Sequence, residues 1–200
     1  MTEMTCVAPE ARISPGCTGI WSDEHTAAWR RIVDFVHRSG ATKMGMQLGH
    51  AGRKGATARP WDGEGPLPSK GDEAAWPLVA PSPIPWADGY QTPKQVDRAD
   101  MERITAQYVD AAKRAEAAGF DWLELHMAHG YLLAGFLSPL TNRRSDEYGG
   151  DVHARLRFPL EVFDAVRAVW PEDKPISVRI SATDWNEAGT SSADRLAIAA

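Results

Sequence analysis

The stretch Phe120-Asp121-Trp122-Leu123-Glu124-Leu125-His126-Met127-Ala128-His129-Gly130-Tyr131 decides the fold. The apolar run from Phe120 to Leu125 reads as a short buried strand, and two imidazoles and a phenol follow it at once. In α/β proteins chemistry collects at such junctions, where a parallel strand runs out into a loop at its C-terminal end. A catalytic loop behind a parallel strand is the first expectation.

The flanking sequence repeats one unit. Upstream, Asp97 to Ala118 has helical spacing through Ile104, Tyr108, Ala111, Ala112 and Ala115, an acidic start at Asp100 and a stop at Gly119. Further upstream, Ser22-Asp23-Glu24 opens a helix with Trp29, Ile32, Val33 and Val36 on one face, ending near Ser39-Gly40, and Lys43 to Leu48 reads as the next strand. Downstream lie a loop from Leu137 to Gly150, a helix from His153 to Trp170 with Leu156, Leu160, Phe163, Val166 and Val169, and a strand from Ile176 to Ile180. Ser191 then opens a last helix. Met1 to Thr5 reads as a strand end. Three helix-then-strand units with near-continuous apolar strands predict a parallel sheet covered by helices. With three or four strands where a closed eight-stranded barrel takes about 250 residues, the chain reads as a piece of a larger barrel.

Between about 55 and 95 the pattern is interrupted by a Pro- and Trp-rich excursion containing Pro60-Trp61, Trp76-Pro77 and Pro81-Ser82-Pro83-Ile84-Pro85-Trp86. Proline at this density excludes a regular helix, and the tryptophans predict a packed insert, placed to act as a lid, rather than a solvated linker. The whole is expected to be a single partial-barrel domain over 1–200.

Composition narrows the function class. The 200 residues are 43% hydrophobic and 24% charged, as in an ordinary globular chain. A net charge of -5, from 22 Lys+Arg against 27 Asp+Glu, gives no basic excess for nucleic acid or an anionic membrane, so a small molecule is the expected partner. Two cysteines, Cys6 and Cys17, are too few for a disulfide framework or a Cys-rich cluster. The N-terminus lacks the features of a signal sequence and no apolar run reaches the ~18 residues a bilayer needs, which predicts a soluble, cytoplasmic protein.

The candidate site residues each admit two or more readings. His126 and His129 at i, i+3 could be a metal pair, packed histidines, or donors to a substrate oxygen, with Tyr131 as a nearby proton donor; no third metal ligand follows from spacing. Gln47, near a strand end, offers donor and acceptor together, which suits a ring alternating N–H and C=O such as a flavin pyrimidine edge, or a simple cap. Arg179, inside a strand, expects an anionic or electron-rich partner or an internal salt bridge. The segment Ser138 to Gly150 reads as a structural loop whose arginines and acids bond each other. No glycine spacing matches a phosphate loop or a Rossmann fingerprint.

Several motifs run in one order along nearly the whole chain: Gly19-Ile20-Trp21-Ser22-Asp23-Glu24-His25, Gln47-Leu48-Gly49-His50-Ala51-Gly52-Arg53-Lys54, Ala80-Pro81-Ser82, His126 to Leu132, Phe136 to Arg144, Asp146 to Gly150 and Ser177 to Ser181. Together they resemble the Old Yellow Enzyme family of flavin-dependent oxidoreductases, in particular its xenobiotic-reductase-like branch. The resemblance implies a (β/α)8 barrel that binds FMN, takes hydride from NADPH or NADH, and passes it to an activated C=C bond. This chain would span roughly the end of strand 2 through strand 5 and the start of the next helix, without the first strand or the last three, whose loops grip the FMN phosphate. By the resemblance Gln47 meets the flavin pyrimidine, Arg179 its N1–C2=O edge, and Met4 supplies a backbone contact. His126 and His129 hold the substrate oxygen, Tyr131 protonates carbon, and no metal is needed. Ala154 departs from the pattern, which carries Asn there.

The excursion and the tract Pro175 to Glu187 look most like the flavin-reductase half of anthraniloyl-CoA and salicylyl-CoA monooxygenases, implying an alkene or aryl-CoA substrate and a homo-oligomeric parent protein. Two alternatives stay open. One is a non-catalytic half barrel acting as a binding module; the other is part of a related flavin and iron–sulfur dienoyl-CoA reductase.

Overall fold

Side chains alternate across β5 (Trp122–Met127), and this alternation organises the molecule: Leu123, Leu125 and Met127 point to one face of the sheet, Trp122, Glu124 and His126 to the other. The computed structural model describes residues 1–63 and 65–200. In it β1 (Met4–Cys6), β2 (Gly45–Gly49), β5 and β6 (Ile176–Ile180) form one parallel sheet in that order. The register sets Met4 beside Gln47, Gln47 beside Glu124, Glu124 beside Ser177, and His126 beside Arg179. The strands were expected to be near-continuously apolar. Instead one face is apolar and the other polar, so the period-2 signal in β5 carried information that the apolar reading passed over.

The apolar face packs against helices α1 (Asp23–Ser39), α2 (Arg98–Ala117) and α4 (Val152–Arg167). Met46, Leu48, Leu123 and Leu125 meet Ile104, Tyr108, Phe120, Phe158 and Val162 in a core with essentially no exposure. Burying each such side chain stabilises the fold by about 1.5–3 kcal/mol relative to leaving it in water. Caps set the helix starts. Ser22 accepts from the His25 N–H, Asp97 and Asp100 form a reciprocal box at α2, and Asp151 accepts from Ala154. Ser191 repeats the reciprocal box with Asp194 at α5 (Ser192–Ala199), where the sequence placed a helix start.

Two helix faces differ from expectation. On α1 Val33 is buried, but Ile32 is 47% exposed. On α4 the fully buried face is Phe158, Val162 and Val166, and Leu160 is half exposed. Leu156, Leu160 and Phe163 line a separate apolar groove with Val178, Ile180 and Ile198, on the open side of β6. A helix with two apolar stripes has no single phase in its sequence, and the sheet decides which stripe is core.

The excursion is packed only in part: Trp76 is half-buried, whereas Trp61 is 78% and Trp86 42% exposed, so two of the three tryptophans expected to pack do not. Residues β3 (Val79–Ala80) and β4 (Lys94–Gln95) pair in a small parallel ribbon, and Leu78, Val79, Ala80 and Val96 are buried. The Trp76 indole N–H donates to Glu10 O, and the Arg12 guanidinium lies 4.6 Å from the Trp76 ring centre. The loop 138–150 is also structural: Arg144 binds Asp146 and the carbonyls of Pro81 and Val96, and the Asn142 amide donates to Phe136 O and Tyr148 O. Ahead of it sits α3 (Leu132–Leu137), a helix that the sequence reading missed because all six of its residues are apolar and buried, leaving no amphipathic period. Among the described residues no helix is long and apolar enough to cross a membrane.

Candidate active site

The polar face of the sheet carries the site, and the chain is kept slim there. A Cβ at Gly49 would stand 2.6 Å from the Met4 side chain, so glycine lets Met4 lie across β2. Gly52, with φ +58°, opens the turn Gly52–Lys54, where a Cβ would meet the Leu132 backbone at 3.0 Å. This close approach draws the Gln47-to-Lys54 segment against the start of α3. The His50 carbonyl accepts the Leu132 N–H at 3.0 Å, locking the two together.

Within this frame Gln47 is buried, and its Nε2 donates to Glu124 Oε1 at 2.6 Å. Glu124, to which no sequence signal assigns a role, is the residue that orients the Gln47 amide. With Nε2 engaged, the Gln47 carbonyl oxygen remains as an acceptor on the polar face.

His126 lies inside β5, which runs to Met127, two residues beyond the end that the apolar run to Leu125 predicts. Its ring is 3% exposed, and burial, followed by the positive charges expected of His129 and Arg179, pushes its pKa down to about 4. The Ala128 N–H donates to His126 Nδ1 at 3.2 Å, so the neutral ring carries its proton on Nε2. That nitrogen lies 3.1 Å from His129 Nδ1. His126 is therefore the donor and His129 Nδ1 the acceptor, leaving His129 with its proton on Nε2.

His129 sits in a left-handed backbone conformation, φ +59°, followed by Gly130 at φ +70°. Strain of this kind persists only where surrounding contacts enforce it. Here the His129 N–H donates to Ser181 Oγ at 2.9 Å and its carbonyl accepts from Lys54 Nζ at 3.0 Å. Tyr131 completes the cluster, its ring centre 5.0 Å from that of His126 and 6.4 Å from that of His129. Burial, with the two thiols Cys17 and Cys6 behind it, raises the Tyr131 pKa, so its proton is held at neutral pH. Lys54 Nζ stands 4.0 Å from the Trp86 ring centre and 5.2 Å from that of Tyr131, so the excursion contributes Trp86 to the rim. Neither Lys54 nor Trp86 carried a sequence signal beyond membership of a motif and of a Trp-rich tract.

Arg179 differs from the sequence reasoning. Its position in a strand argued for a buried charge, but β6 is the open edge of this sheet and Arg179 is exposed. Among the described residues its guanidinium has no salt-bridge partner, so the internal ion pair is not formed. It does share a register position with His126, on the polar face. The metal reading also lacks support, since no group of three His, Cys, Asp or Glu side chains gathers among the described residues.

The groups left free suit the flavin pyrimidine edge. The Arg179 guanidinium offers donors and the Gln47 carbonyl, fixed by Glu124, an acceptor, on the sheet face that carries His126.

Comparison with known proteins agrees in extent and order. Residues 1–200 match the NADH:flavin oxidoreductase / NADH oxidase family. The chain is 46% identical over 189 residues to an NADPH dehydrogenase of Geobacillus sp. (strain WCH70), covering 94% of this chain and 50% of that protein. It superposes on morphinone reductase in complex with tetrahydroNAD with a TM-score of 0.78 at 32% identity, covering 94% of this chain and 52% of that one. On Old Yellow Enzyme from Pichia sp. AKU4542 the TM-score is 0.79 at 31% identity, covering 94% and 48%. The chain thus spans about half the length of the curated relatives it matches, and its sheet and helices form part of a (β/α)8 barrel.

Proposed function

This chain belongs to the NADH:flavin oxidoreductase / NADH oxidase family, and on that premise we propose that it supplies the flavin-ring and substrate-oxygen side of an FMN-dependent active site that oxidises NADPH or NADH and reduces an electron-poor C=C bond. The observation that carries this reading is the pairing of His126 Nε2 with His129 Nδ1 at the end of β5, on the sheet face shared with Gln47 and Arg179. FMN bound there would supply the hydride chemistry.

The chain's own residues have four tasks. Gln47, fixed by Glu124, and Arg179 bind the flavin ring through hydrogen bonds and charge, and Met4 borders them from β1. His126 and His129 receive the carbonyl oxygen of an enone, enoyl or dearomatised aryl-CoA substrate in place of their mutual bond, and stabilise the negative charge that develops on it. Tyr131 delivers a proton to the carbon opposite the one that receives hydride. Trp86 and Lys54 close the rim and keep water from the reacting carbon.

The experiment is lumiflavin titration of the chain, followed by NADPH or NADH oxidation with a cyclic enone as acceptor and the saturated ketone as control. Lumiflavin, which presents the ring without the phosphate, should bind the chain, and binding should weaken in Gln47→Leu. Failure to bind lumiflavin would overturn the cofactor assignment; flavin bound without enone-dependent turnover would overturn the clamp.

A further inference from the structure

We propose that the cavity formed by the excursion and the turn Gly52–Lys54 binds an aromatic carboxylate, whose ring lies against Trp61, Trp86 and Tyr90 and whose carboxylate pairs with Lys54. Binding there needs no flavin and is independent of the reading above.

The cavity is open and holds about 860 Å³, with Lys54, Trp61, Trp86, Tyr90 and Glu3 among its walls. Trp61 is 78% and Trp86 42% exposed, so two indoles present their surfaces to this space and not to the core. Large aromatic surfaces gathered at one cavity and left in water mark a place where another apolar surface docks. A flat ring matches them in shape and in chemistry.

Charge selects the kind of ring. Lys54 Nζ donates to the His129 carbonyl at 3.0 Å and lies 4.0 Å from the Trp86 ring centre. An ammonium has three N–H donors, so two remain for a ligand. The neighbouring Arg53 donates through Nη1 to the carbonyls of Ile84 and Pro85, lies 5.6 Å from the same indole centre, and keeps a buried Nε without a partner. Among the described residues no carboxylate forms a salt bridge with either cation. Two adjacent positive charges therefore stand at one indole without a counter-charge. Burial, joined at Lys54 by the Arg53 charge, lowers the pKa of both, a cost that a bound anion relieves.

Glu3 limits how much charge the ligand carries. With one carboxylate already in the wall, a monoanion gains from Lys54, whereas a phosphate dianion meets repulsion. Lys54 Nζ also lies 5.2 Å from the Tyr131 ring centre, so the occupant sits beside the candidate active site.

The test titrates the 200-residue chain with 2-naphthoate and with its neutral counterpart 2-naphthamide at pH 7 and low salt, following the tryptophan indole N–H resonances by NMR. The acid should shift the Trp61 and Trp86 signals and bind about tenfold tighter than the amide. Lys54→Met should abolish that preference and Lys54→Arg should keep it. Trp61→Leu, which removes a ring exposed on the surface, should weaken acid and amide alike. Adenosine monophosphate should bind more weakly than 2-naphthoate. Equal affinity for acid and amide, a preference that survives Lys54→Met, shifts confined to other tryptophans, or tighter binding of adenosine monophosphate would each overturn the proposal.

Discussion

His126 Nε2 lies 3.1 Å from His129 Nδ1, and the Ala128 N–H occupies the other nitrogen of His126. The two contacts leave one proton arrangement for two neutral rings. The candidate clamp at rest is closed on itself, and a substrate oxygen can enter only by taking over the proton that His126 gives His129. For both rings to donate to that oxygen, His129 must move its proton from Nε2 to Nδ1.

Nitrogen NMR of the labelled histidines should show Nε2–H tautomers for both rings in the free protein. Binding of an enone or a phenol should convert His129 to the Nδ1–H form while His126 keeps its tautomer. An Nδ1–H His129 without ligand would contradict the assignment.

Acid should destabilise the fold through two buried neutral histidines. The pKa of His126 is about 4, and that of His50, driven down by burial first, is also about 4, against 6.5 for a free imidazole. Between those values the unfolded chain binds protons that the folded chain refuses, so stability is present above about pH 6.5 and falls as pH drops toward 4. The loss should reach at most about 3 kcal/mol per histidine. Urea midpoints at pH 7, 5.5 and 4 measure it, and His50→Gln should flatten the profile.

Tyr131→Phe keeps the ring against His126 and removes only the hydroxyl that carries the proton. Enone reduction by the flavin-loaded protein should fall about 10²–10⁴-fold, with flavin binding and substrate affinity nearly unchanged. A matching loss of substrate affinity would assign Tyr131 to binding instead of proton delivery. Single-turnover reoxidation against a ligand titration separates the two.

Gln47→Leu removes the amide that Glu124 orients while keeping an apolar side chain of similar size. FMN affinity should weaken about tenfold, the worth of roughly 1.4 kcal/mol of hydrogen bonding. Glu124→Gln should weaken it less, since an amide can still bond Gln47. Fluorescence titration with FMN reads both.

Phe136 of α3 and Phe158 of α4 pack with ring centres 4.8 Å apart, both without exposure. Phe136→Ala should cost about 3–5 kcal/mol in urea unfolding, because the cavity opens between two helices that cannot collapse onto it. Phe35→Ala on α1, whose ring is 66% exposed, should change little.

Much of this was legible along the chain. The caps at Ser22, Asp97 and Ser191, the stop at Gly119 and the helix-then-strand rhythm are local signals, so they located three helices and the strands to within a few residues. The site residues His126, His129, Tyr131 and Gln47 stood out by type and position. The arrangement among them did not. Gln47 and Glu124 are 77 residues apart, and only the register of β2 against β5 makes them neighbours.

The sequence by itself determined a parallel sheet with outer helices, a proline-rich interruption without a regular helix, and a polar cluster behind Leu125, because propensity, capping and periodicity act over a few residues. Tertiary structure alone decided which apolar stripe of α4 became core, that Glu124 holds the Gln47 amide, and that His126 gives its proton to His129. Those outcomes depend on which surfaces meet and on directions fixed by a hydrogen bond from one backbone amide, and no spacing along a chain encodes either.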